Sequence, residues 1–151
     1  MSLNEEVTLL RRIPLFAKID AAQLKLLAFT SERVAFPEGE ILFRQGDTGD
    51  AAYVIIEGDV DVMIETDSGP VTVASMGRNE MVGEIAIICD VPRTATVQAK
   101  TRLETLVVSK ELFFRLVTEF PQMGVEVMRE LAERLEKTNI RLREALADRD
   151  G

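Results

Sequence analysis

The run Val82-Gly83-Glu84-Ile85-Ala86-Ile87-Ile88-Cys89-Asp90-Val91-Pro92-Arg93-Thr94-Ala95-Thr96-Val97 decides how the rest of the chain is read. A glycine lets another group approach its backbone closely, and the residues after Gly83 can form one or two helical turns. The leading amides of such a turn have no acceptor within it and point outward, which makes a small anion site. Pro92 stops any helix and pushes Val91 into an extended conformation. Arg93 then begins the next strand, from which its guanidinium can fold back over the turn and clamp two phosphate oxygens. Glu84, one residue after the glycine, can accept a hydrogen bond from a sugar hydroxyl while pairing with nearby basic groups.

On both sides of this run the punctuation is that of short strands. Gly39, Gly46, Gly49, Gly58, Gly69, Gly77 and Gly83 interrupt β-rich segments from Glu32 to about Val108. Ala51–Ile56 and Val60–Ile64 flank the turn signal Glu57-Gly58-Asp59, and Val60, Val62 and Ile64 alternate with Asp61, Met63 and Glu65. Asp67-Ser68-Gly69-Pro70 makes the following turn. Thr94, Thr96 and Val97, then Leu103–Val108, supply the late strands. Many short strands with evenly spaced turns predict an antiparallel β-roll or jelly roll rather than an open parallel sheet.

Helices flank the strands. Residues 5–29 predict two short ones: Val7, Leu9 and Leu10 stand before the stop at Pro14, and Asp20 is placed to cap a second helix reaching about Phe29. Ser109 is placed to cap Lys110–Phe120, and Pro121 suits the first position of a long last helix running to about Ala147. The expected architecture is one mainly β domain over residues 1–151, with short N-terminal helices, a roll over about 32–108 and C-terminal helices over about 110–147.

Composition narrows the chemistry. The chain has 151 residues, 46% of them hydrophobic and 29% charged, as expected of one ordinary globular domain. Its formal charge is −8, from 18 basic and 26 acidic residues, so a bound phosphate must be held locally by main-chain donors and a chosen cation. The same balance disfavours general nucleic-acid or membrane-surface binding. There is no histidine and only one cysteine, Cys89, which excludes Ser–His and Cys–His nucleophile systems and any Cys/His metal cluster. The single cysteine also excludes an intrachain disulfide and fits a reducing cytoplasm. Cys89 itself reads as an inert apolar filler. No GxxxxGK[ST] loop is present to cradle a triphosphate, whereas one arginine among free amides matches the single charge of a cyclic phosphodiester. The chain reads as a binder, with no enzymatic activity, metal or cofactor expected.

The central run resembles the phosphate-binding cassette of the cyclic-nucleotide-binding domain family. That pattern is aromatic-Gly-Glu-[Leu/Ile]-Ala, a short spacer, then Pro-Arg-[Ser/Thr/Ala]-Ala-Thr. Gly83, Glu84, Ile85, Ala86, Pro92, Arg93, Thr94, Ala95 and Thr96 match it in register, and Val82 departs from the aromatic position. Ile13-Pro14-Leu15-Phe16, Gly39-Glu40-Ile41-Leu42-Phe43, Gly46-Asp47 and Ile56-Glu57-Gly58 also look like family elements, so the resemblance covers about Leu9 to Leu142. It implies that Arg93 pairs with the cyclic phosphate and Glu84 with the ribose 2′-hydroxyl. The backbone around Gly83, Glu84, Ile85 and Ala86, and that of Thr94 and Ala95, would add further contacts. A hydroxyl at Thr94 is compatible with cyclic GMP and with cyclic AMP; cyclic AMP is favoured because the chain looks like a bacterial stand-alone module. As a strand hydroxyl, Thr94 can equally bond its own backbone.

In the last helix Val125, Met128, Ala132, Leu135, Asn139, Leu142 and Leu146 are spaced 3, 4, 3, 4, 3 and 4, an a/d seam with one Asn at an a position. This predicts either a homodimer seam or a face packed on the roll. The segment resembles the dimerisation helix of bacterial cyclic-AMP-responsive regulators, which implies that Thr138 and Asn139 lie near the nucleotide base, one of them across the dimer. Polar residues on a seam or a solvated face account for them as well. Those regulators continue into a helix-turn-helix, for which no room remains before Gly151, so DNA binding is not expected. The function expected is a sensory module whose C-terminal helix responds to a cyclic nucleotide; the alternative is a non-binding interaction or dimerisation scaffold on the same fold.

Overall fold

A computed structural model describes residues 3–150. Helix α1 (Leu3–Arg11), a 3₁₀ turn at Pro14–Phe16 and α2 (Ala21–Thr30) precede eight strands. The strands are β1 (Glu32–Phe36), β2 (Ile41–Phe43), β3 (Ala51–Glu57), β4 (Val60–Thr66), β5 (Gly69–Met76), β6 (Met81–Val82), β7 (Thr96–Ala99) and β8 (Leu103–Ser109). Helix α3 (Glu84–Ile88) separates β6 from β7, and α4 (Lys110–Glu119) and α5 (Pro121–Asp150) follow. The strands form two antiparallel sheets in the orders β1-β8-β3-β6 and β2-β7-β4-β5, the jelly-roll arrangement read from the turn spacing.

Capping follows the residues singled out for it. The Asp20 carboxylate accepts from the Gln23 amide at 3.0 Å, and the Ser109 hydroxyl accepts from the Leu112 amide at 3.2 Å. Pro121 opens α5, where its missing N–H costs nothing.

The first sheet is covered on both faces, which explains why β3 is apolar from Ala51 to Ile56. Ala52 and Val54 face a cluster built with Leu24, Leu27, Phe113 and Met123 from the helices. Ile55, with Val60, Val97 and Leu103, fills the space between the sheets. The alternation read in β4 fades towards its end: Ile64 is exposed, because β7 pairs with β4 only as far as Met63 and the β4–β5 ribbon continues alone.

Arg93 does not begin a strand. Strand β7 starts at Thr96, and the Arg93 backbone is held in a loop, its N–H donating to Asp47 O and its carbonyl accepting from Gly46 N, each at 2.8 Å. Gly46 has φ +91°, so the opposing chain turns away before a ladder can form. Cys89 is exposed rather than packed as a filler, since α3 ends at Ile88 and the chain turns outward at Asp90, φ +53°.

Helix α5 separates two faces. Met123 and Val127 are buried and Leu131 packs behind them, whereas all seven residues of the 3/4-spaced seam are exposed. The helical layer, chiefly α4 and the 3₁₀ turn, therefore takes one stripe of α5, and the seam, which does not pack on the roll, lies on another. Among the described residues, no helix is long and apolar enough to cross a membrane.

Candidate functional site

The site is a cleft of about 410 Å³, its open mouth included, between α3, the loop before β7 and the inner face of the second sheet. Its wall is mainly apolar, with Val62, Met76, Val82 and Val97 among its residues, and Arg93, Glu84, Arg134 and Thr94 are its polar ones. That combination of apolar walls and a few convergent polar groups is what small-ligand sites present.

Gly83 heads the cleft in the left-handed region, φ +85°, as the residue before α3. A Cβ there would stand 2.7 Å from Arg93 Nη1, so the position needs glycine for conformation and for space. Gly49 is constrained by space alone: a Cβ would lie 2.6 Å from Ala86 Cβ and 3.1 Å from Arg93 Cζ.

Arg93 is 4% exposed. Its Nη1 donates to Gly83 O and its Nη2 to Ala51 O, each at 2.8 Å, and Cζ lies 4.0 Å from the Phe43 ring centroid. No described carboxylate forms an ion pair with it. Its Nε is buried and has no acceptor. Burial lowers the pKa of Arg93, against the opposing field of Tyr53, Asp50, Asp47 and Glu84; among the described residues lining the cleft, Arg93 is the cation without a carboxylate partner, since Arg134 is paired. A buried cation with a free donor on a mainly apolar cleft is a site suited to one anion.

Glu84 is 1% exposed and accepts from Arg134, which reaches in from α5. Arg134 Nη2 also donates to Met81 O at 2.5 Å and to Glu130 at 2.9 Å. Its Nε, like that of Arg93, is buried without an acceptor. Burial raises the pKa of Glu130 above the ordinary carboxylate range, against the pull of Arg134.

Gly83, Glu84, Ile85, Ala86, Arg93, Thr94 and Ala95 all line the cleft. Thr94 is exposed at its edge and Ala95 is buried. Thr138 and Asn139 do not line it within one chain: both are exposed on α5, and the Thr138 hydroxyl donates to Arg134 O in its own helix. Three contributors had no role assigned from sequence: Arg134, Phe43 and the carbonyl of Ala51. A lone arginine on a charged helix and a carbonyl carry no sequence signal, whereas Phe43 in the Gly39–Phe43 run is a visible aromatic without a stated partner. Among the described residues no cluster of three or more potential metal ligands exists.

The sequence profile of the cyclic nucleotide-binding domain matches residues 33–120. The cAMP-dependent protein kinase regulatory subunit of Schizosaccharomyces pombe is 34% identical over 110 residues, 73% of this chain and 26% of that protein. A CRP-like cAMP-activated global transcriptional regulator of Mycobacterium tuberculosis is 27% identical over 132 residues, 87% of this chain and 59% of that one. The chain thus spans about a quarter to three-fifths of these relatives. The crystal structure of the Thermus thermophilus catabolite activator protein matches with a TM-score of 0.75 at 28% identity, covering 85% of this chain and 61% of that one. The chain belongs to the cyclic nucleotide-binding domain family.

Proposed function

We propose that the chain is a sensory module that binds a cyclic nucleotide under the Gly83–Ala86 turn and passes occupancy on through α5. One observation carries the reading: Arg93 is buried, paired with carbonyls rather than carboxylates, and keeps an Nε–H with no acceptor. A phosphodiester monoanion supplies the missing charge and acceptor together. Gly83 and the opening amides of α3 lie beside it, and Glu84 is within the same cleft to accept from the ribose.

Cyclic AMP is favoured over cyclic GMP because the names of both curated relatives tie them to cyclic AMP. Transmission rests on Arg134, which bonds Glu84 and the rest of α5 at once, so a ribose hydroxyl arriving at Glu84 competes with a helix contact. Ligand shifts the helix only by its differential affinity for the two arrangements. The exposed seam from Val125 to Leu146 supports a homodimer along α5, in which Thr138 and Asn139 approach the base from the partner's helix or on closure.

Isothermal titration with cyclic AMP and with cyclic GMP tests the proposal. Saturable binding of both, tighter for cyclic AMP, is expected. Flat titrations with both would leave the scaffold reading in its place.

A further inference from the structure

We infer that Phe43 is the positioning residue for Arg93, its ring holding the guanidinium plane so that the free N–H groups face the phosphate. The inference rests on the cyclic-nucleotide reading for its ligand and on independent geometry for the stack.

Arg93 presents a positioning problem. A long cationic side chain has several rotamers, and the usual way to fix one is a carboxylate partner, which would neutralise the charge the ligand needs. Among the described residues no such partner is in place, although Asp47 and Asp50 are near enough to act through the field. Orientation comes from neutral groups instead. Two carbonyls take one N–H each from Nη1 and Nη2, and the Phe43 ring covers a face of the guanidinium at 4.0 Å. A ring face attracts a cation through its quadrupole without consuming an N–H or cancelling the charge. Nε–H and one N–H on each terminal nitrogen remain unclaimed by protein acceptors.

Phe43 is itself held firmly. It ends β2 opposite Val97, just past a register shift in the β2–β7 ladder. Its ring lies 5.8 Å from that of Tyr53 at 31°, and its Cε2 stands 3.2 Å from where a Cβ on Gly83 would be. The ring is therefore wedged between the first sheet and the cleft's leading glycine, with Arg93 stacked against it.

The test compares Phe43→Leu, which keeps apolar bulk, with Phe43→Tyr, which keeps the ring. Cyclic AMP affinity is read by calorimetry, and the Arg93 Nε–H resonance by ¹H–¹⁵N NMR of the ligand-free protein. In the wild type that resonance is expected to be shifted upfield by the ring current and slow to exchange. Phe43→Leu should abolish both features and weaken binding about five- to thirtyfold, equivalent to about 1–2 kcal/mol at 1.4 kcal/mol per decade; Phe43→Tyr should restore both. Binding within twofold of wild type in Phe43→Leu, or equal losses in the two variants, overturns the inference. Should Phe43→Leu fail to fold, the wild-type resonance decides: no upfield shift and fast exchange contradict the stack. A flat wild-type titration counts against the cyclic-nucleotide reading alone, because the ligand-free resonance still tests the positioning.

Discussion

The Arg134 guanidinium donates to the Glu84 carboxylate across 50 residues of sequence, joining the last helix to the turn that heads the cleft. Glu84 is 1% exposed, so this bond is the charge compensation for a carboxylate taken out of water. The same arginine holds Glu130 and Met81 O, which makes it the point where α5, β6 and α3 meet.

Replacing Arg134 by Met keeps the apolar stem and strands the Glu84 charge. Stability should fall by about 2–3 kcal/mol, below the range for fully buried pairs because the Arg134 side chain is partly exposed. Glu84→Gln, which can still accept from Arg134, should cost less. Urea denaturation of the two variants checks the order; a smaller loss for Arg134→Met than for Glu84→Gln contradicts it.

Two glycines separate space from conformation. Gly49→Ala puts a Cβ against Ala86 and the Arg93 guanidinium, and should weaken cyclic AMP binding at least about tenfold, within the range for overpacking. Gly69→Ala has φ +109° and open space around it, so it should cost about 1–2 kcal/mol of stability and leave affinity unchanged. Calorimetry and thermal melts on both variants read the contrast.

Glu130 gives a pH signature. Its folded pKa is raised, so the native state holds this proton more tightly than the unfolded chain. The corresponding stability is full below the ordinary glutamate value and is lost as pH rises through the raised one. Glu130→Gln removes the titration. The wild-type melting temperature minus that of Glu130→Gln should therefore fall as pH rises across this window; a difference that is constant or grows with pH is the contrary result.

The α5 seam carries Met128, Leu135 and Leu142 at 63%, 61% and 56% exposure. A charge there meets water in a monomer and a partner's apolar side chain in a dimer. Sedimentation should find wild type as a dimer and Leu135→Glu with Leu142→Glu as a monomer with unchanged circular dichroism. A wild type that is monomeric at all concentrations removes the seam from the account.

Legibility in the sequence followed locality. The caps at Asp20 and Ser109, the helix start at Pro121 and the glycine-led turn at Gly83 depend on neighbours within a few residues, and each is where its local chemistry puts it. Strand Ala51–Glu57 was readable as a strand but not as a doubly covered one, since that depends on helices distant in sequence. Arg93 was readable as a chemical group, whereas its support was not: Ala51 O is 42 residues away and contributes through backbone alone. A strand beginning at Arg93, straight after the Pro92 stop, is what the sequence predicts; the turn at Gly46 opposite it delays the strand to Thr96. In α5 the long Val125–Leu146 periodicity stands out, whereas the shorter Met123, Val127 and Leu131 stripe that packs on the other helices depends on partners distant in sequence.

If the buried Arg93 guanidinium holds the phosphate, its removal must show in affinity. Calorimetric titration of cyclic AMP into wild type and Arg93→Ala, with folding of both verified by circular dichroism, reads this. Affinity should drop about thirtyfold to several-thousandfold, matching the roughly 2–5 kcal/mol lost when one partner of a desolvated pair is removed. A folded Arg93→Ala protein that binds as tightly as wild type would contradict it.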